Sequence, residues 1–223
     1  MKVAYITSDQ VENSSALSGV SEKALCVPVT QAACRYTLAA GHQAIYYDPH
    51  KAYSISGAIR EKPDVIILIH CDAPGHSKPQ GVMGVECGHT TRDTPWAQKV
   101  ISQLGQRMGW GVWKGGSAGV STDKALRNFC FYFYKDMRDM GYQGKRLILE
   151  LVNMTNREQA QYVKDNADNI GRWIAEIVTG KEVEEDMPID KIPDRIAAPY
   201  IPKLQEAGII DSAHEGDDAA SVN

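Results

Sequence analysis

A single α/β domain, three layers deep with a central, mostly parallel twisted sheet flanked by helices, is what this sequence predicts. Three observations carry that prediction. Two apolar runs of strand length, Asp64-Val65-Ile66-Ile67-Leu68-Ile69 and Leu147-Ile148-Leu149-Glu150-Leu151, lack polar alternation, as strands buried on both faces do. Strand-like and helix-like segments alternate over residues 1–180. Each apolar run also delivers a chemically able side chain at its end, His70 in one and Glu150 in the other. In open α/β sheets, ligands bind outside the carboxyl ends of the strands.

The elements follow in order. Met1–Thr7 reads as a short buried strand, and Ser8–Ser21 as a polar loop rich in Ser and Gly. Glu22–Ala40 carries Leu25, Val29, Ala32, Ala33 and Tyr36 at helical spacing, with Gly41 as its stop; Pro28 predicts a kink or a late start. Gln43–Tyr47 is a second strand, Ser54–Glu61 a helical turn and Asp64–His70 the central strand. The loop Ala73–Gln80, holding Pro74, His76 and Pro79, leads into a strand at Gly81–Cys87. Thr94–Met108 is a helix on Trp96, Val100, Ile101 and Leu104, Trp110–Val120 a Gly-rich loop, and Lys124–Met140 a helix with an aromatic cluster. Leu147–Leu151 is the last strand, and Glu158–Thr179 a long closing helix. Residues 181–223 form a separate tail: a charged, proline-punctuated linker over Lys181–Pro193, one short helix over Arg195–Ile210, and a disordered acidic end over Glu215–Asn223.

Composition narrows the function. At 223 residues the chain can build one well-cored domain plus a tail. A net charge of -4 supplies no basic footprint for nucleic acid, and no apolar run is long enough to span a bilayer. The start, MKVAYITSDQ, enters a strand pattern directly, so no secretory signal is read and a cytoplasmic protein is expected. Cys26, Cys34, Cys71, Cys87 and Cys130 are scattered without CxxC spacing, as free thiols in a reducing compartment are. Oligomeric state leaves no mark on the sequence.

Three residues stand out chemically. Glu22 opens the first helix, where a carboxylate is favoured by the helix dipole alone. His70 and Glu150 end buried strands, and an unpaired carboxylate there costs several kcal/mol unless it has a partner or a task. Together they match the parts of a hydrolytic zinc site: a few N/O ligands, an open position for water and a carboxylate to take the water's proton. No HExxH or CxxC spacing supports this on its own. Lys114-Gly115-Gly116 lacks the continuation of a P-loop and reads as a flexible rim loop. Trp110, Trp113 and the aromatics of 129–134 read as core packing with one exposed face ahead of a sugar-stacking wall.

Four segments resemble one family. Glu22-Lys23 opens the first helix; Leu68-Ile69-His70-Cys71-Asp72-Ala73 ends the central strand; Gly81–Cys87 follows; and Glu150-Leu151-Val152-Asn153-Met154-Thr155-Asn156-Arg157-Glu158 runs into the closing helix. In this order, over Met1 to Thr179, they resemble the zinc-dependent N-acetylmuramoyl-L-alanine amidases of bacterial autolysins and phage endolysins. The resemblance implies a zinc ion held by Glu22 and His70, and Glu150 as the catalytic carboxylate. It implies peptidoglycan as partner, with cleavage of the amide between N-acetylmuramic acid and L-alanine of the stem peptide. Without an export signal, the chain resembles a phage-type lytic enzyme released to the cell wall at lysis.

Two departures from that family are visible. The loop after the first strand holds no histidine, and Asp9 stands where the family's first zinc-binding His falls. Aspartate can ligate zinc; the alternatives are His76 or His89 folding in from neighbouring loops, or loss of the metal. Val152 and Asn153 also replace the family's Gly-Phe. Two other readings therefore stand beside the zinc amidase: an inactive amidase-fold binding or structural protein, and another zinc amidohydrolase or carboxypeptidase.

Overall fold

The computed structural model describes residues 1–48, 54–85, 94–115, 119–121, 137 and 139–183. In chain order these form β1 (Lys2–Thr7), α1 (Glu22–Ala39), β2 (Gln43–Tyr47), α2 (Ser54–Arg60), β3 (Val65–Asp72), β4 (Met83–Val85), α3 (Thr94–Met108), β5 (Val120–Ser121), β6 (Lys145–Asn153), α4 (Arg157–Asp165) and α5 (Ala167–Thr179). The six strands make one sheet in the order β2-β1-β3-β6-β4-β5. The first four are mutually parallel, β4 runs antiparallel to β6, and β5 is parallel to β4. The expected mostly parallel α/β architecture is therefore the one the chain adopts.

Strand alternation sorts the core into two layers. Val3, Tyr5, Ile67, Ile69, Leu147 and Leu149 pack with α1, α3 and α5 on one face, through Leu25, Leu104 and Ile174. Ala4, Ile6, Ile66, Leu68 and Ile148 pack on the other, with Ala58 and Ile59 of α2. After β1 the chain moves outward to β2 and then returns to lay β3 on the opposite side of β1. A topological switch point thus lies between β1 and β3, and the crevice at their carboxyl ends is where such a sheet binds ligands.

Several boundaries differ from the sequence reading. Ser21 caps α1, its hydroxyl accepting the Ala24 amide at 3.2 Å, so the helix starts at Glu22 and passes through Pro28 without a late start. β3 and β6 each run two residues past the expected end, to Asp72 and Asn153, because a bulge between His70 and Asp72 lets Asp72 pair with Asn153. His70 and Glu150 therefore sit inside the ladder, in register with each other. Within the expected loop 110–120, Val112 bridges Val82 and Val120–Ser121 joins the sheet.

The closing helix is two helices. Asn166 leaves helical geometry at φ −117°, where its backbone amide and its side-chain amide both donate to the Tyr162 carbonyl at 2.9 Å. Most of the expected helix 124–140, the aromatics of 129–134, Cys87, His89, Cys130 and the tail beyond residue 183 lie outside the described residues. No described helix is long and apolar enough to cross a membrane.

α1 and α5 cross at Gly171, where a Cβ would stand 2.4 Å from the Ala32 Cβ and 2.7 Å from the Val29 carbonyl oxygen. Backbone blocks relief there. Gly171→Ala is expected to cost about 1–3 kcal/mol, read as a lower urea midpoint at unchanged m-value; an unchanged midpoint would refute this crossing.

Candidate active site

Glu22 is a buried carboxylate with bonds to both of its oxygens. Only 2 % of it is exposed. Its Oε1 accepts from the Ser8 hydroxyl at 2.8 Å and the Cys71 amide at 3.3 Å, and meets His70 Nδ1 at 2.7 Å. Its Oε2 accepts from the Asn13 side-chain amide at 3.2 Å. Burial pushes its pKa up, but His70, Ser8 and Asn13 outweigh burial and hold the carboxyl below its usual range. Burial likewise works against a charged His70, while the bond to Glu22 and the nearby charges of Glu150, Glu22 and Asp9 raise it above the usual imidazole range. The two form a buried ion pair, fixed by the start of α1 and the end of β3.

Glu150 lies one strand over, register partner of His70 on the same face as Ile148. Its situation is the reverse of Glu22's. Burial raises its pKa to about 8; His70 opposes this, while Glu22 and Asp72 add to it. Its Oε2 is buried with no hydrogen-bond partner among the described residues. Glu22, His70, Glu150 and Asp72 line one cleft of about 270 Å³ with Gln10 and Asn13. A proton-holding carboxyl, an ion pair and two amides thus share a water-accessible space at the switch point, a set able to bind a polar group and exchange a proton with it.

The structure brings Glu22, His70 and Glu150 together. Asp9 is exposed and does not line the cleft, although its charge reaches His70. The hydroxyl facing Glu22 belongs instead to Ser8, one residue earlier. His76 is exposed and lines a neighbouring cleft, and His89 lies outside the described residues. Ser8, Gln10 and Asn13 were not singled out by sequence, because short polar residues in a Ser-rich loop carry no periodic signal.

Nor was the clamp of Gln159, and Asn153 stood out only as a departure from the family's Gly-Phe. Gln159, fully buried, accepts the Gln80 amide at 2.9 Å and the Asn153 amide at 3.2 Å, and donates to the Gln80 carbonyl at 2.7 Å. Asn153 donates to the carbonyls of His76 and Lys78 at 2.6 and 2.8 Å. These bonds fasten the 76–80 loop to the end of the strand that carries Glu150.

A catalytic zinc site takes three protein ligands and an open position. Glu22 and His70 supply two convergent donors, and the orphaned Glu150 Oε2 and the Asp72 carboxylate are further oxygens lining the same cleft. Among the described residues no group of three His, Cys, Asp or Glu is arranged to hold a metal ion. The fit is to two ligands, with the third place open.

No family model matches the chain, and no curated protein is similar to it in sequence. Solved structures are similar in fold. The catalytic domain of the CD27L endolysin, which targets Clostridia difficile, superposes with a TM-score of 0.59 at 15% identity, over 82% of this chain and 99% of that one. The N-acetylmuramoyl-L-alanine amidase AmiC2 of Nostoc punctiforme gives 0.60 at 13% identity, over 80% and 95%. The N-acetylmuramyl-L-alanine amidase Ami1 of Mycobacterium smegmatis gives 0.60 at 14% identity, also over 80% and 95%. The fold is that of the N-acetylmuramoyl-L-alanine amidases. The superpositions cover 80–82% of this chain and 95–99% of these three neighbours.

The Glu150 carboxyl titrates at about 8 when folded against a reference of 4.5, so the folded protein holds an extra proton between those values. Its contribution to stability is complete below about 4.5 and falls away as pH rises through 8. Gln cannot ionise and removes that loss. In chelator-treated protein, Glu150→Gln is expected to raise Tm at pH 8.5 by several degrees, ~1 kcal/mol being worth about 2–4 °C in a chain of this size. The gap should close by pH 4.5; a pH-independent gap would contradict the assignment.

Proposed function

We propose that this chain is a peptidoglycan hydrolase of the amidase type, cleaving the amide between the lactyl group of N-acetylmuramic acid and L-alanine of the stem peptide. One observation carries the reading: Glu22 and His70 meet at 2.7 Å at the switch point of an amidase fold, with Glu150 as His70's register partner on the next strand. The similarity in fold to proteins described as N-acetylmuramoyl-L-alanine amidases supports the same bond.

In the reaction proposed, the scissile carbonyl enters the cleft beside Glu150. Glu150 takes a proton from the attacking water as the new C–O bond forms, and returns it to the amine as the C–N bond breaks. A carboxyl titrating at about 8 is near the pH at which both transfers are accessible. Ser8 and Asn13 hold the Glu22 carboxylate, and Glu22 fixes the His70 ring. Glu22 and His70 are the residues that would hold a zinc ion; the third place is open, since Asp9 does not line the cleft. When bound, zinc supplies polarisation of the carbonyl and acidification of the water.

Digestion of purified peptidoglycan is expected to release new amino termini of L-alanine. Glu150→Gln should lower that release by about 10²–10⁴-fold while leaving zinc content unchanged, and His70→Ala should lose both. Release of free carboxy-terminal residues instead would identify a carboxypeptidase. Absence of turnover, with sub-stoichiometric zinc that a chelator does not alter, would leave a binding protein on the amidase fold.

A further inference from the structure

The cleft at the switch point holds one carboxylate to which the proposed reaction gives no task. Asp72 ends β3, half-buried, and lines the cleft with Glu150. Its charge is felt at Glu150, whose pKa it helps to raise. Among the described residues that line the cleft, the only cationic side chain is His70, and that is spent on Glu22. No lysine or arginine of the described residues is paired with Asp72. Glu150 Oε2, on a residue more than nine-tenths buried, also has no partner among them. The cleft is rich in acceptors and short of a counter-charge.

Asp72 is held still. Its carbonyl accepts the Met154 amide at 2.9 Å, and the bulge after His70 pairs it with Asn153. Its Oδ2 accepts the Gln80 side-chain amide at 2.8 Å. Gln80 is itself pinned, its backbone amide and carbonyl both bonded to the side chain of the fully buried Gln159. On its far side Gln80 lines the neighbouring cleft, of about 430 Å³, where Trp110 and Trp113 are half-exposed. A lysine or arginine in place of Gln80 would cancel the Asp72 charge. A neutral amide fixes the carboxylate and leaves the charge to a ligand, with little ordering left to be done on binding.

The leaving group answers that charge. The scissile nitrogen carries one N–H in the substrate, receives the proton from Glu150 as the C–N bond breaks, and departs as an amine. A second proton passes to it from the new carboxyl group, so a carboxylate and an ammonium leave; an α-amino group is protonated below about 7.7–8.0. We infer that Asp72 is the acceptor for the departing nitrogen, taking its N–H in the substrate and its ammonium in the product. The inference rests on the hydrolase reading and adds to it a residue that selects on the amine side of the bond. A stem peptide with a free amino terminus is then a ligand in its own right.

The test is binding, not turnover. The full chain, chelator-treated so that no metal can hold an amine, is titrated calorimetrically at pH 6.5 with the diamide of L-alanyl-D-glutamic acid. The control ligand has L-lactate in place of L-alanine, a hydroxyl replacing the ammonium at nearly equal size. The amine is expected to bind at least about tenfold tighter than the control. Asp72→Asn keeps the shape and an oxygen for the Gln80 amide, and should bring the two affinities to within about twofold. Glu150→Gln should keep the preference. Equal affinities in the wild type, an undiminished preference in Asp72→Asn, or a preference lost in Glu150→Gln would overturn the assignment. A wild type that releases L-alanine amino termini from peptidoglycan yet binds both ligands alike sinks the role of Asp72 alone. One that prefers the amine and hydrolyses nothing keeps the amine seat and loses the hydrolase reading.

Discussion

An ionised carboxylate at 2 % exposure is held in place only by the donors around it, and those at Glu22 come from three separate parts of the chain. Ser8 reaches it from the end of β1, Asn13 from the loop that follows, and His70 with the Cys71 amide from β3. Removing His70 leaves that charge without its counter-charge in low dielectric, at a cost of several kcal/mol. The contact with His70 therefore sets where α1 begins relative to the carboxyl edge of the sheet. The loop between β1 and α1 follows, closed further by the amide of Glu22 donating to the Asn13 carbonyl at 2.9 Å.

Glu150 shows how one cleft holds carboxyls in opposite states. Glu22 accepts four bonds and is held ionised; Glu150, one strand away, has an oxygen with no partner among the described residues and is held protonated toward neutral pH. Both side chains are buried, and the donors supplied to them differ: four at Glu22, none at Glu150 Oε2 among the described residues. Separation of this kind between neighbouring acids is how acid and base roles are divided in a site. The bulge that carries β3 past His70 serves the same end, because it pairs Asp72 with Asn153 and so anchors the loop that separates the two clefts.

The long apolar strands were legible because burial on both faces removes polar residues outright, and the helix at 94–108 because its apolar face is narrow and regular. The antiparallel β4 was not, since three residues carry no sign of strand direction. The break at Asn166 was not legible either, since it is a local departure in φ at a residue whose backbone and side-chain amides share the Tyr162 carbonyl, within a helical pattern that continues on either side. His70 and Glu150 could be read because each is a costly residue in an apolar setting, whereas Glu22 carried only the signal of a helix start and gained its meaning from the resemblance. Ser8 could not, as a serine after a strand is unremarked until its hydroxyl is found on a carboxylate. The tryptophans of 110–115 carry the pattern of core residues; they are half core and half cleft, a division set by Gly115 and by the Val82 bridge rather than by any local pattern.

The most direct measurement is the anomalous difference map of a zinc-soaked crystal of this chain. The account predicts a single strong peak between the Glu22 carboxylate and the His70 imidazole, at ligand distances of about 2.0–2.2 Å, with the Glu150 carboxyl beside its open side. A map in which Glu22 and His70 remain paired to each other, with zinc absent or bound elsewhere, would contradict it.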